Sequence, residues 1–350
     1  MITAINTKTD IRTLSSEQLQ KEITSLGEPA FKAKQIYEWL WKKSAFSFEE
    51  MTNLSKPLRE KLIERFEIKA VKILTQQKSK DGTIKLAFKL WDDNIIEGVL
   101  IPTATRMTAC VSSQVGCSLN CSFCATGFLE RQRNLDAAEI YDQVVLIGQL
   151  AIKNYNIPLS NIVFMGMGEP LLNYANVMKG IEHITKPKGL GMSPQRITVS
   201  TAGVTKMIKR LGDENVKFNL ALSLHAANNE RRSSIMPIND TNNLEMLVEA
   251  LNYFHEKTGT RVTLEYCVIN DTNDHEQEAM ELAQFAKKVK CKINLIEYNP
   301  IQMADFKASS AEKIEKFAKI LEQQKLIVNI RRSRGKDIDA ACGQLANKIV

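Results

Sequence analysis

The sequence predicts an α/β fold: a partial (βα)6 barrel with an N-terminal helical accessory domain and a β-hairpin extension. Three observations lead there. From Met107 onward, short apolar and β-branched runs alternate with helical stretches, the pattern of repeated βα units in a parallel sheet. The units number six, fewer than the eight of a closed barrel. Ahead of them, residues before about Lys69 read as helices, and an Asp81-Gly82 turn joins two strand-like runs. The expected divisions are 1–70 for the helical domain, 71–101 for the hairpin and strand linker, and 102–350 for the core with its C-terminal tail.

In chain order, Ser15 with Gln18 three residues on is a capping-box start, and Gly27 a stop. Ile36 and Leu40 share one face of the next helix, beside Trp39 and Trp41. Ser55 and Pro57 open a third, in which Leu58, Leu62 and Phe66 recur every fourth residue, as in a buried stripe. Lys32, Lys34, Lys42, Lys43, Lys56, Arg59 and Lys61 make this region basic. A solvated face and an RNA-contacting module explain that charge equally well.

Val71 to Gln77 reads as a strand leading to the turn. Ile84, Leu86, Phe88 and Leu90 then alternate with Thr83, Lys85, Ala87 and Lys89, the period of a half-buried strand. A third strand, Ile95 to Ile101, carries one acid, Glu97, for which an outward-facing strand carboxylate is the plainer alternative. The core strands are expected at Thr108–Val111, Asn161–Met165, Arg196–Ser200, Lys217–Leu224, Arg261–Ile269 and Lys292–Ile296. Helices are expected at 136–154, 174–185, 204–211, 244–258 and 274–289, and a last helix and strand at 311–324 and 326–331. Active sites of such sheets lie at the C-terminal ends of the strands.

Composition sets wide bounds. Apolar residues make up 44% of the 350, ordinary for a globular chain. No run approaches 18 apolar residues, which argues against a membrane span. Met1 to Asp10 has no apolar signal region, and seven unevenly spaced cysteines do not form a secreted disulfide framework. The expected location is the cytoplasm. A net charge of +7 suits a nucleic-acid partner without requiring one.

The chemistry concentrates in Cys117-Ser-Leu-Asn-Cys121-Ser-Phe-Cys124, directly after the first core strand. A tetrahedral zinc site would need a fourth ligand, usually from a second close pair. No second pair exists. Three thiolates on a short loop suit three irons of a 4Fe-4S cube, leaving the fourth open to a small molecule. Three buried thiols or an incomplete zinc site is the plainer alternative. After the second strand come Gly166, Gly168, Glu169 and Pro170, where glycines let backbone approach a ligand and Glu169 could accept from an ammonium. Ser200 ends the third strand, Ser223-Leu224-His225 the fourth, and Asn299 follows the sixth. Each could be an ordinary turn residue, yet all lie at the same end of the sheet. Cys110 stands on the first strand. Cys342, in Ala340-Ala341-Cys342-Gly343-Gln344-Leu345, is flanked by small residues that suggest an exposed, mobile, nucleophilic thiol. Cys267 and Cys291 read as small buried hydrophobes.

Cys-x-x-x-Cys-x-x-Cys, Gly168-Glu169-Pro170, Ser200-Thr-Ala-Gly, Ser223-Leu-His and the Ala-Ala-Cys-Gly-Gln-Leu tail together resemble the RlmN/Cfr family of radical S-adenosylmethionine (SAM) RNA adenine methyltransferases, over nearly the whole chain. The long helical N-terminus and the tail favour the RlmN branch. That resemblance implies a radical SAM barrel and an RNA-binding helical domain. It implies methylation of adenine C2 in the peptidyl-transferase centre of 23S rRNA, and of the adenosine 3′ of the anticodon in tRNA. The alternative within the family is C8 methylation, and outside it a non-enzymatic iron–sulfur RNA-binding protein. The implied cofactors are a 4Fe-4S cluster on Cys117, Cys121 and Cys124 and two S-adenosylmethionine molecules per turnover, one held by Gly168, Glu169, Ser200, Ser223, Leu224, His225 and Asn299. The family pattern makes Cys342 the methyl carrier, forming a transient covalent link to RNA. It makes Glu97 the base that removes the C2 proton, and Cys110 the thiol that attacks Cys342 to release product. The disulfide left behind requires a reductant, and cluster chemistry a one-electron donor, both cytoplasmic. The protein is expected to act as a monomer. Arg106, Arg131, Arg133, Arg231, Arg232, Arg331, Arg332 and Arg334 are candidate phosphate contacts.

Overall fold

The structure is a computed structural model and describes residues 8–346. Strand β1 (Thr9–Asp10) pairs in parallel with β2 (Phe66–Glu67) and closes a module of three helices, α1 (Ser16–Ser25), α2 (Phe31–Trp41) and α3 (Lys56–Arg65). The expected capping box forms at α1: Ser15 Oγ accepts from Gln18 N, and Gln18 Oε1 accepts from Ser15 N. Gly27 ends that helix at φ +78°, a conformation open to glycine. Leu58, Leu62 and Phe66 are buried as their spacing predicts.

Strands β3 (Lys72–Lys78), β4 (Ile84–Lys89) and β5 (Ile95–Pro102) form an antiparallel meander. It does not stand apart from the core. Strand β5 pairs antiparallel with β6 (Met107–Cys110), so the meander extends the main sheet. Next come β7 (Gln114–Val115) and β8 (Arg133–Asn134), a short antiparallel clasp, and then α4 (Ala137–Tyr155) and β9 (Asn161–Phe164). Helix α5 (Tyr174–Thr185), β10 (Ile197–Thr201), α6 (Thr205–Asp213), β11 (Asn219–Ser223), α7 (Asn229–Ile235) and α8 (Leu244–Thr258) follow. The chain closes with β12 (Val262–Val268), α9 (Glu276–Lys287), β13 (Cys291–Glu297), α10 (Ala311–Gln323) and β14 (Val328–Arg331). The ten-stranded sheet runs β14-β13-β12-β11-β10-β9-β6-β5-β4-β3, parallel from β14 to β6. Every core strand predicted from periodicity is present, with ends shifted by up to two residues. The small α7 and the β7–β8 clasp had no periodic signal long enough to read.

The sheet curls into the partial barrel. Flat strands about 4.8 Å apart would put β14 and β9, five places away in the order, some 24 Å apart. Yet Arg331 Nη1 on β14 lies 3.5 Å from Met165 Sδ just after β9. The segment after β14 then bridges to the meander. Gly335 N donates to Asp81 Oδ2 (2.9 Å), Arg334 Nη2 donates to the carbonyls of Asp81 and Pro102 (2.9 Å each), and Ser79 Oγ and Lys80 N donate to Asp337.

That bridge overturns one expectation. Strand β4 is not half-buried: Lys85 and Ala87 are buried along with Ile84, Leu86 and Phe88, and only Lys89 is exposed. Glu97 is likewise 1% exposed rather than outward-facing. The sequence alternates because one face packs on helices and the other carries polar groups, but the C-terminal tail folds over that second face.

The helical module is fixed to the barrel through polar and aromatic groups. Buried Arg12 bonds Asp10 and both carboxylate oxygens of Asp142 on α4 (2.8 and 2.9 Å). Trp41 stacks on His183 of α5 with ring centroids 3.6 Å apart. Among the described residues, no helix is long and apolar enough to cross a membrane.

Candidate active site

The cysteine loop is held open by its ends. The β7–β8 clasp pins residues 114–115 against 133–134, and Cys117 N donates to Leu129 O across the neck. Gly116 takes φ +73°, and a Cβ there would lie 2.2 Å from Glu130 O, so no other residue fits the neck. Beyond it, Cys124 N donates to Cys121 O and Gly127 N to Cys124 O, tightening the loop around the last two thiols.

Cys117, Cys121 and Cys124 line one cavity at the C-terminal mouth of the barrel. Burial raises all three thiols, Cys117 to about 11, and Cys117 and Cys121 also feel neighbouring thiols of the set. These thiols do not suit a single ion. Among the described residues, the one group of three ligand atoms mutually within 4.8 Å is Asp271, Asp274 and His275, where the Lys313 ammonium already sits against both acids. Sulfurs around tetrahedral zinc, bound at about 2.3 Å, would be closer together than that limit. A wider all-sulfur set converging on a cavity fits a cuboidal iron–sulfur cluster, with three protein ligands and one corner toward the cavity.

The same cavity is walled by Gly168, Glu169, Ser200, Ser223, His225 and Cys342. Gly168 has φ +91°, and a Cβ would lie 2.4 Å from that of Gln114. Glu169 is buried, its carboxylate accepting from Leu171 N (3.0 Å) and Ala202 N (2.7 Å). Burial nevertheless raises it to about 7, the backbone donors pulling the other way. Ser200 Oγ and Ser223 Oγ are 3.3 Å apart on adjacent strands. His225 has a left-handed backbone, φ 56°, and its Nδ1 accepts from Cys267 N (2.9 Å). Burial lowers it to about 3, so the ring is neutral, and Phe123 packs edge-on against it. Leu224 and Asn299 do not reach the wall. Leu224 is fully buried, and its N donates to Glu265 O. Asn299 Nδ2 donates to Cys342 O (3.2 Å) and so holds the tail.

That tail is laced into the site. Ala125 N donates to Gly343 O (2.7 Å), Thr126 Oγ1 to Leu345 O (2.7 Å), and Gln344 Nε2 to Pro300 O (3.1 Å). Cys342 has accessible surface, but that surface is cavity wall. Its thiol is raised chiefly by burial, with Arg331 acting against. Cys110 is fully enclosed and is pushed up to about 12 by burial first and then by Cys342. The two thiols, 232 residues apart in sequence, therefore lie within electrostatic range. Glu97 lies outside the cavity wall and touches the tail one step further, its Oε2 accepting from Ala346 N (2.8 Å).

Two of the arginines proposed from the sequence as phosphate contacts take places that no sequence signal indicated. Arg331 lies between Glu265 and both tail-side thiols, 4.0 Å from Glu265 Oε2. Arg232 is fully buried and ties strand ends together through Leu224 O and Ala202 O. Arg232 has no exposed surface to offer a phosphate. Arg133, Arg231, Arg332 and Arg334 are paired with carboxylates. Arg106 and Arg131 stay exposed. Cys267 is not simply core: it lines the cavity.

Comparison with known proteins places these features. Residues 9–68 match the model for the ribosomal RNA large subunit methyltransferase N-terminal domain, and residues 111–283 match the radical SAM superfamily. The chain is 61% identical over 340 residues to a probable dual-specificity RNA methyltransferase RlmN from Cytophaga hutchinsonii, covering 97% of this chain and 93% of that one. A protein of the same description from Christiangramia forsetii is 56% identical, covering 97% of each. Among solved structures, a radical SAM methyltransferase from Sphaerobacter thermophilus superposes with a TM-score of 0.92 at 39% identity, over 97% of this chain and all of that one.

Proposed function

Because the chain belongs to the RlmN family of dual-specificity radical SAM RNA methyltransferases, we propose that it methylates C2 of an adenosine in 23S rRNA and of the adenosine 3′ of the anticodon in tRNA. The observation that carries the reading is a pair of converging thiols. Cys342 shares a cavity with Cys117, Cys121 and Cys124, and Cys110 lies within electrostatic range of it. An aromatic C–H is neither acidic nor nucleophilic, so a methyl cation cannot simply be handed to it. A carrier thiol and a resolving thiol are the parts a two-stage transfer needs.

When bound by Cys117, Cys121 and Cys124, the 4Fe-4S cluster supplies the single electron that cleaves S-adenosylmethionine. The remaining work falls to side chains of this protein. Gly168 and Gly166 let the backbone close on the ligand, and Glu169, Ser200, Ser223 and His225 offer polar contacts along the wall. The Cys342 sulfur would take the methyl group of a first S-adenosylmethionine, S-adenosylhomocysteine leaving; that methyl would lose one hydrogen atom to the adenosyl fragment released by cleaving a second, and its carbon would then bond to adenine C2. Glu97 takes the C2 proton. Cys110 then attacks the Cys342 sulfur, breaking its bond to the transferred carbon and leaving a disulfide for a reductant to reopen. We read the protein as a cytoplasmic monomer; substrates in ribosomal and transfer RNA and the need for a reductant support the cytoplasmic location.

Mass spectrometry of nucleosides from rRNA and tRNA of a deletion strain tests the proposal. Loss of 2-methyladenosine from both pools is expected. Loss from rRNA alone would remove tRNA as a substrate, and loss of 8-methyladenosine instead would overturn the C2 assignment.

A further inference from the structure

One member of a buried charge pair, Lys85, is used by nothing described so far. Lys85 on β4 and Glu97 on β5 are 5% and 1% exposed, with Lys85 Nζ 3.3 Å from Glu97 Oε1. A buried lysine with a single carboxylate partner is expensive, because both ions lose their water. The pair is also imperfect as a fold-stabilising bridge, since Oε1 is enclosed and the ammonium is not aligned to donate to it. The other oxygen, Oε2, accepts from Ala346 N of the tail that carries Cys342. One carboxylate thus has an ammonium on one side and the catalytic tail on the other.

We propose that Lys85 is a positioning residue for the methyl transfer: it holds Glu97 as an ionised, proton-accepting carboxylate turned toward the tail. The inference rests on the reading of Glu97 as the base for the C2 proton. A carboxyl group in a dry site favours its neutral, useless form unless a cation faces it. The pairing register supports Lys85 as that cation. Ala87 is opposite Glu97 and Lys85 opposite Val99, so both side chains emerge on the inner face of the sheet, where Cys110 also lies opposite Val99. From the other packed segments, Met167 Sδ meets the Glu97 backbone N (3.3 Å) and Ser112 Oγ donates to Glu97 O (2.6 Å), neither charged. The tail charges Lys336 and Asp337 are bonded to Glu297 and to Ser79 and Lys80. Lys85 is the cation in contact with the carboxylate among the described residues.

Lys85→Met, Lys85→Arg and Glu97→Gln separate the possibilities. Methyl content of Cys342 measured in each preparation reports a folded protein with a placed tail. In Lys85→Met, the protein–RNA adduct should accumulate at neutral pH and resolve as pH rises, with the acid limb of the resolution rate displaced upward by about one pH unit or more. Lys85→Arg should restore the native profile. Without any cofactor, infrared difference spectra of Lys85→Met should show a protonated-carboxyl band at neutral pH that disappears when Glu97→Gln is added. A wild-type pH profile and no such band in methylated Lys85→Met would overturn the inference. If Glu97→Gln itself turned over without trapping RNA, the base assignment would fail instead. Equal loss at every pH, with no recovery in Lys85→Arg, would assign Lys85 a structural role only.

Discussion

Cys342 and Cys110 carry opposite expectations although each is one sulfur beside the other. Cys342→Ala should yield no methylated protein and no product, because no other thiol holds the carrier place on the cavity wall. Cys110→Ala should still become methylated and still join RNA, but the link should persist. RNA-bound protein surviving denaturation, seen as a shifted band and confirmed by mass, is the check; normal turnover without trapped RNA would return Cys110 to a plain buried strand thiol. The sequence exposed these two through the tail motif and the family pattern. It could not expose the parts played by Arg331, Glu265 and Lys85, the first of which it offered only as a phosphate contact. Each is an ordinary charge on a strand, and what distinguishes it is a neighbour that only the curled sheet supplies.

At the level of elements, the cysteine loop was legible because its spacing is local: three thiols within seven steps of chain need no tertiary knowledge. Changing any one of Cys117, Cys121 or Cys124 to Ala should therefore abolish the broad iron–sulfur absorbance and lower bound iron to near background, while circular dichroism stays native. Full iron in all three variants would refute the cluster assignment. Helix starts were legible for the same reason, since a cap such as Ser15 with Gln18 is written within four residues. Strand β4 was misread because alternation reports only that two faces differ. What covers the polar face came from about 250 residues further along the chain. The β7–β8 clasp, two residues a side, was too short for any period to register.

Over the whole molecule, the active mouth and the basic groove of the helical module lie at different ends of the sheet. A groove of Lys34, Lys42, Lys186 and Lys188 with Tyr37 runs between α1, α2 and the end of α5. Lys186 follows the C-terminus of α5 and precedes β10, so βα topology puts the groove at the strand N-terminal end, away from the cavity. If it holds the RNA backbone, replacing all four lysines by Gln should weaken RNA binding and flatten its dependence on log salt by about 0.7 to 0.9 for each phosphate no longer neutralised. Cleavage of S-adenosylmethionine without RNA should persist. An unchanged salt slope in filter binding would remove this face from RNA recognition. Substitution is preferable to deleting the module, because Asp142 would lose its cation Arg12 and remain buried with only the Val71 amide as a hydrogen-bond donor.

The bonds from Asp337 to the hairpin tip and from Ala346 to Glu97 have a consequence for rates. Cys342 sits five residues past the first anchor (342 − 337 = 5) and four before the second (346 − 342 = 4). A chain spans at most ~3.5 Å per residue, so the sulfur is leashed within roughly 15 Å of either end. A methylated Cys342 is therefore a reagent on a short tether, present at its target at an effective concentration in the millimolar range however dilute the enzyme. Loosening either anchor should slow every encounter that sulfur makes, without touching the chemistry of any one of them.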